Sequence, residues 1–268
     1  MNNLESELGC KLFIRSHQGV TLTAEGEKVY ERVAVAYEQL RTVEEELALE
    51  RSLESGLITI GASETALRLM LLSRLEHFHT RYPHVRLRIS NHSTPQALQA
   101  VKNGEVDFAV ITTPAEVESG LKMVELKPFY EVLVGGRTFT ALASQNLSLK
   151  ELNNYPLISL SDESMTRAFY RQFFLDHGAV LKPDTEAATT DQMLTLVKSE
   201  LGIAFLPQSM AQDALARGEI VQLHLQEIIP SRSICLIYDH HRPLNTAARK
   251  FQQMLTKAEP GHPAAPKQ

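Results

Sequence analysis

The feature that most constrains this chain is an alternation that begins at Leu57, in which short apolar runs and helix-period stretches follow one another. Leu57–Gly61 is apolar enough for a strand. Ser63 or Glu64 then opens a segment whose apolar residues Leu67, Leu71, Leu75 and Phe78 recur every three or four positions until Pro83 stops it. Val85–Ser90 alternates with the period of a strand. Pro95–Asn103 predicts a helix, with proline tolerated in its first turn and Gly104 closing it. Phe108-Ala109-Val110-Ile111 is apolar at every position, as in a strand buried on both faces of a parallel sheet. Repeated βαβ units of this kind fold as a sheet covered by helices.

A second group of elements follows. Val124–Leu126 and Glu131–Val134 read as strands crossing to another lobe. There Leu149–Asn153 predicts a short helix, Leu157–Leu160 a strand, and Met165–His177 and Asp191–Ser199 helices. Gly202-Ile203-Ala204-Phe205-Leu206 predicts a strand ended by Pro207, and a helix through Ala216 comes next. Strands at Ile220–Leu223 and Ile234–Tyr238 follow, the latter running back to the first lobe, where Thr246–Leu255 forms a last helix. Two α/β lobes joined by crossing strands describe a periplasmic-binding-protein-like sensor. The Pro/Ala/Gly-rich residues 259–268 lack periodicity and predict a disordered tail.

The first fifty residues follow other rules. Gly9 suits the position just after a helix ending at Leu8, Lys11 to Arg15 alternates as a strand, and Ser16-His17-Gln18-Gly19 supplies turn chemistry before a second strand, Val20-Thr21-Leu22. Thr23 is a good N-cap for a long helix over about 24–51. Its apolar residues Val29, Val33, Ala36, Leu40, Val43 and Leu47 are spaced 4, 3, 4, 3, 4. That is an a/d seam, narrower than the stripe a helix needs to pack on its own domain, and it predicts a helix–helix dimer.

Leu4-Glu5 through Arg15, with Leu22-Thr23-Ala24-Glu25-Gly26, resembles the back half of the winged helix-turn-helix of LysR-type transcriptional regulators. Family-like residues continue at Leu57 to Gly61, Phe78 to Pro83, Leu98 to Ile111 and Gly202 to Pro207, so the resemblance covers nearly all of the patterned chain. It implies a partial winged helix over residues 1–23, a dimerisation linker helix and hinge over 24–56, and an effector-binding domain over 57–258. Within that domain, lobe I spans about 57–128 and 239–258, and lobe II about 129–238. About thirty residues precede this point in the family, so the resemblance implies a start upstream and, for the chain as it stands, defective DNA binding. Arg15, Ser16 and His17, on the wing, are the expected phosphate contacts.

In two-lobed α/β sensors a ligand sits between the lobes, at strand C-termini and helix N-termini, whose free N–H groups suit anions. Ser63, Glu64 and Thr65 follow the first strand, Ser93 and Thr94 the second, and Thr112 and Thr113 the third. Ser161 follows the first strand of the second lobe, and Thr190 precedes a later helix. These are the expected effector contacts, with Ser63, Thr65, Thr94 and Thr112 the better candidates. A carboxylate at Glu64 repels an anion unless it points away or pairs with Arg68, four residues on. The alternative it leaves open is an effector bearing an amine.

Composition narrows the function. With 43% hydrophobic and 22% charged residues the chain is globular, and no apolar run reaches a membrane span. The start carries no export signal, which predicts a cytoplasmic protein. Cys10 and Cys235 are too few for a disulfide framework and are expected as packing residues. Net charge is −5, but residues 1–56 hold six Lys/Arg against eleven Asp/Glu, so this segment alone neutralises few phosphates. The chain has no GxSxG, P-loop, HExxH or GxGxxG motif, and His77, His79, His240 and His241 are spaced poorly for a metal. The expectation is therefore no catalysis, no metal and no cofactor. Its expected partners are double-stranded DNA in the full-length form, a small effector, a second copy in a homodimer or homotetramer, and RNA polymerase. The rival readings are a DNA-independent sensor or hetero-dimerising fragment, and a solute-binding protein.

Overall fold

The computed structural model describes residues 2–16, 19–34, 36, 37, 40 and 56–256. They belong to two compact units, divided between Ser55 and Gly56.

In the first unit α1 (Asn2–Leu8) ends at Gly9, whose φ of +67° is the left-handed cap that glycine adopts without a Cβ penalty. β1 (Phe13–Ser16) and β2 (Gly19–Leu22) pair antiparallel, with Phe13 opposite Leu22. The Glu5 carboxylate accepts the Leu12 and Phe13 N–H groups at 2.8 and 3.3 Å and pairs with Lys11 at 3.2 Å. The Leu12 N–H and then the Lys11 ammonium hold its pKa below the ordinary value. Thr23 caps the next helix, accepting the Gly26 N–H at 2.9 Å, and donates its hydroxyl to Lys11 O at 2.7 Å. That helix, α2, covers residues 24–34, and residues 36, 37 and 40 are also helical.

The second unit begins with β3 (Gly56–Ala62), followed by α3 (Glu64–Ala66), a π-helical turn (Leu67–Leu71) and α4 (Leu72–Arg81) as one continuous helical segment. β4 (Val85–Asn91), α5 (Thr94–Asn103), β5 (Phe108–Thr112) and β6 (Leu121–Phe129) complete the first pass. Then come β7 (Glu131–Gly136), a 3-10 turn (Arg137–Leu142), β8 (Asn146–Leu147), a 3-10 turn (Glu151–Asn154) and β9 (Leu157–Leu160). α6 (Met165–Asp176), β10 (Thr185–Ala187), α7 (Thr190–Lys198) and β11 (Ile203–Pro207) follow. The last elements are α8 (Gln208–Ala216), β12 (Ile220–Leu225), β13 (Arg232–Asp239) and α9 (Thr246–Thr256).

Two sheets result, ordered β4-β3-β5-β13-β6 in lobe I and β10-β9-β11-β7-β12-β8 in lobe II. β3 is parallel to β4 and β5, while β13 is antiparallel to β5 and β6. The all-apolar β5 is thus central, as expected, but has one parallel and one antiparallel neighbour. β13 pairs with β6 from Arg232 to Asp239 and so lies wholly in lobe I. The chain therefore crosses to lobe II at Tyr130 and returns between residues 226 and 231. The expected return at 238/239 falls too late, because antiparallel pairing claims the whole apolar strand.

Both sheets are covered on two faces. In lobe I, Phe251 of α9 meets Phe78 of α4 edge-on at 5.0 Å and stacks on Phe108 at 6.1 Å. On the opposite face Ala97, Ala100 and Val101 of α5 pack against Ala109, Ile111, Cys235 and Ile237. In lobe II, Tyr170, Phe173 and Phe174 of α6 cluster with Phe205 and Leu133, and α7 and α8 bring Met193, Val197 and Ala211 to Val134, Ile158 and Leu206. Each fully buried Phe or Leu contributes roughly 1.5–3 kcal/mol. Gly104 caps α5 at φ +71°, and a Cβ there would collide with the Arg242 guanidinium packed over it. The Leu149–Asn153 helix is instead a 3-10 turn at Glu151–Asn154, and β8 and β10 were not foreseen, being short strands without apolar alternation.

Candidate functional site

Strand ends and helix starts from both lobes converge where α3 faces α7. β3 ends at Ala62, and the Ser63 N–H donates to Val110 O at 3.0 Å, which fixes the exit of the chain. Ser63 then caps α3, accepting the Ala66 N–H at 3.3 Å. The next two residues reach across to lobe II. Glu64 Oε2 accepts the backbone N–H of Thr190 at 2.8 Å, and the Thr65 and Thr190 hydroxyls are 3.2 Å apart. Arg68, in the π turn, forms an ion pair with Asp191. The Glu64–Arg68 pairing considered from sequence is therefore not made. Thr190 is buried and is the first residue of α7, whose cap is Thr189, accepting the Gln192 N–H at 3.2 Å.

The π turn makes this reach possible. Leu72 N–H bonds Leu67 O, five residues back, so one extra residue enters the helix. The insertion turns the segment before it by about 100° relative to the face that buries Leu71, Leu75 and Phe78.

The crossing strands also build a buried polar cluster. Arg232, at the start of β13, is 3% exposed. Its guanidinium donates to Glu131 at 3.2 Å, to the Thr112 hydroxyl at 3.1 Å, to the Thr166 hydroxyl at 2.9 Å and to Thr113 O at 2.6 Å. The rings of Phe129 and Phe169 lie within 5.4 and 5.2 Å of its Cζ, as cation–π partners. Thr112 and Thr113 belong to lobe I, Glu131 and Thr166 to lobe II, so one cation ties both lobes. Burial, and then the Glu131 charge, push the Tyr170 hydroxyl well above its usual pKa.

The remaining predicted residues are engaged within one lobe. Ser93 forms a capping box with Gln96 at the start of α5, where Thr94 is buried. The Thr113 hydroxyl accepts the Ser233 N–H at 2.9 Å. The Ser161 N–H donates to Ala187 O at 3.1 Å, at an exposed turn. Of the nine, the structure brings Glu64, Thr65 and Thr190 into direct contact and joins Thr112 and Thr113 through Arg232. Arg232, Glu131, Thr166 and Asp191 were missed. The available signal was a charged residue opening each apolar crossing strand, Glu131 before Val-Leu-Val and Arg232 before Ser-Ile-Cys-Leu-Ile.

In the first unit Arg15 and Ser16 lie on β1 beside the hairpin turn, and His17 lies outside the described residues. In α2, Val29 is half-buried and Val33 55% exposed, and of the helical residues after it Ala36 is exposed and Leu40 65% exposed. Val43 and Leu47 lie outside the described residues. Tyr30 and Tyr37, 63% and 64% exposed, add to the apolar surface of the helix. Among the described residues no helix is long and apolar enough to cross a membrane, and no group of three or more His, Cys, Asp or Glu side chains is placed to hold a metal ion.

Two α/β lobes bridged by crossing strands, with hydroxyls and a helix N-terminus meeting between them, define an effector-binding domain of the periplasmic-binding-protein type. The chain belongs to the LysR family: residues 51–259 match the LysR substrate binding domain. It is a LysR-type transcriptional regulator with an effector-binding domain. It is 27% identical over 232 residues to the HTH-type transcriptional regulator SsuR of Burkholderia cenocepacia, covering 85% of this chain and 74% of that one. A full-length, singly substituted OxyR from Pseudomonas aeruginosa superposes with a TM-score of 0.71 at 22% identity, over 95% of this chain and 86% of that one. The effector-binding domain of QuiR in complex with shikimate superposes with a TM-score of 0.65 at 20% identity, over 75% of this chain and 96% of that one. At these identities the two structures share the fold.

Proposed function

We propose that this regulator senses a small anionic metabolite held between lobes I and II, and that binding changes the arrangement of a DNA-bound homodimer or homotetramer. The observation that carries the reading is the meeting of Thr65 and Thr190 across the lobes at the start of α7, and the Thr112 hydroxyl accepts from the interlobe Arg232. Hydroxyls and a helix N-terminus are the groups that bind carboxylates. Ser63, Ser93, Thr94, Thr113 and Ser161 line the approach in this reading. Shikimate, bound by the QuiR domain, is itself a carboxylate. The alternative is an amine-bearing effector, which would pair with the Glu64 carboxylate.

On the DNA side, Arg15, Ser16 and His17 contact phosphates, and Val29, Val33, Ala36, Leu40, Val43 and Leu47 form the dimer seam. RNA polymerase is the downstream partner. The excess of acidic residues in 1–56 makes this segment a weak DNA ligand on its own, and most affinity resides elsewhere in the DNA-bound assembly.

The test is calorimetric titration of the chain with a panel of small carboxylates and, as the contrast, small amines. A carboxylate should bind, and Thr190→Val should weaken it about tenfold or more, the effect of losing a hydrogen bond to a charged group. Binding confined to amines, or unaffected by Thr190→Val and Thr112→Val, overturns the reading.

A further inference from the structure

The carboxylate of Glu64 stands where an anionic effector is proposed to sit. It comes from lobe I, accepts the first N–H of α7 in lobe II at 2.8 Å, and does so beside the buried Thr190. Two further contacts join the same helix starts: the Thr65–Thr190 hydroxyl pair at 3.2 Å and the Arg68–Asp191 ion pair. The π turn Leu67–Leu71 sets the phase of all three lobe I residues. α7 is already capped by Thr189 through the Gln192 N–H, so Glu64 serves a donor that the helix's own cap leaves over.

We propose that Glu64 is a tethered surrogate for the effector carboxylate: it holds the lobes together at α7 in the absence of ligand, and an anionic effector binds by displacing it. The proposal rests on the interlobe anion reading and deepens it. A tethered group acts at a high effective concentration, so a weak external carboxylate cannot compete with it. Selectivity follows, because an effector must exceed the Glu64 contact through further bonds, and the Thr65 and Thr190 hydroxyls meet at the same helix start. The Arg68–Asp191 pair limits how far the helix starts separate when Glu64 is displaced, and the mechanism is then an exchange of ligands at α7 within a joined pair of lobes.

The experiment follows hydrogen exchange of the Thr190 amide by NMR in the full chain, with acetate as the probe anion. In the wild-type chain this amide should be protected and millimolar acetate should have no effect. In Glu64→Ala its exchange should rise about tenfold or more, and acetate should restore protection with a half-saturation of roughly millimolar. In the isosteric Glu64→Gln the side-chain oxygen still fills the position, so acetate should have no effect. Unchanged exchange in Glu64→Ala, no restoration by acetate, or an equal acetate effect in the wild-type or Glu64→Gln chain overturns the proposal. These outcomes are separable from the effector reading, which is tested on the wild-type chain with larger carboxylates and Thr190→Val.

Discussion

The Arg232 guanidinium lies 3.2 Å from the Glu131 carboxylate with both side chains 3% exposed, where the chain crosses between the lobes. A buried pair of this kind is only as good as its completeness: each ion gives up hydration, which the hydroxyls of Thr112 and Thr166 and the Thr113 carbonyl replace around Arg232, while the Glu131 carboxylate has the guanidinium itself. Arg232→Met should destabilise the effector domain by about 3–5 kcal/mol because it strands the Glu131 charge. Arg232→Met combined with Glu131→Leu should recover most of that loss. Urea unfolding of the single and double variants checks this; a double variant as unstable as the single would show that the pair itself contributes.

Lobe coupling through the same arginine gives a second expectation. Thr166→Val removes a lobe II acceptor of Arg232 and leaves a buried N–H without its partner, which costs about 1–3 kcal/mol. Thr80→Val, whose hydroxyl bonds the Glu76 carbonyl on an exposed helix face, should change stability by about 0.5 kcal/mol or less. Thermal unfolding of the two variants side by side makes the comparison.

The exposed face of α2 predicts assembly. Val33 and Leu40 are 55% and 65% exposed in one copy and occupy the a/d seam. Val33→Glu with Leu40→Glu should convert the chain from dimer or higher oligomer towards monomer, read by light scattering after gel filtration. The unfolding midpoint of the effector domain should stay unchanged, since α2 lies in the other compact unit.

Acid titration has a marker in Glu219. Arg217 donates to it at 2.7 Å and Lys198 lies at 2.8 Å, and these hydrogen bonds, Arg217 first, pull its pKa from 4.5 to about 2. A depressed folded-state pKa stabilises the fold above the unfolded value of about 4.5, and that contribution disappears as pH falls through about 2. Glu219→Gln should therefore lower stability at neutral pH, and the difference from wild type should shrink between pH 4.5 and about 2. Carboxyl NMR of Glu219 should show its midpoint near the lower end of that window.

The strand Phe108–Ile111 was legible because an unbroken apolar run has no stable place but between two covered faces, and β5 sits there. Gly9, Thr23 and Gly104 marked helix ends for equally local reasons, an αL cap or a side-chain acceptor within three residues. Thr65 and Thr112 were singled out as hydroxyls after strands of the βαβ pattern and Thr190 as one before a helix; the fold brings Thr65 and Thr190 together and keeps Thr112 within β5. For Glu64 the sequence left open pointing away, pairing with Arg68 four residues on, or an amine-bearing effector, while the π turn and the second lobe gave Glu64 to Thr190 and Arg68 to Asp191.

By itself, then, the sequence determined which residues become strands and helices, that these alternate, and that they divide into two lobes behind a separate amphipathic helix. Periodicity and capping are short-range, so they are written within a few residues of where they act. Which strands pair antiparallel, where the chain returns to lobe I, and the meeting of Glu131 with Arg232 and Glu64 with Thr190 belong to the tertiary structure alone. These partners stand 101 and 126 positions apart in the chain. Only the packing of two sheets against shared crossing strands selects them, because a buried charge or an unpaired helix N–H takes whichever partner the fold brings within reach.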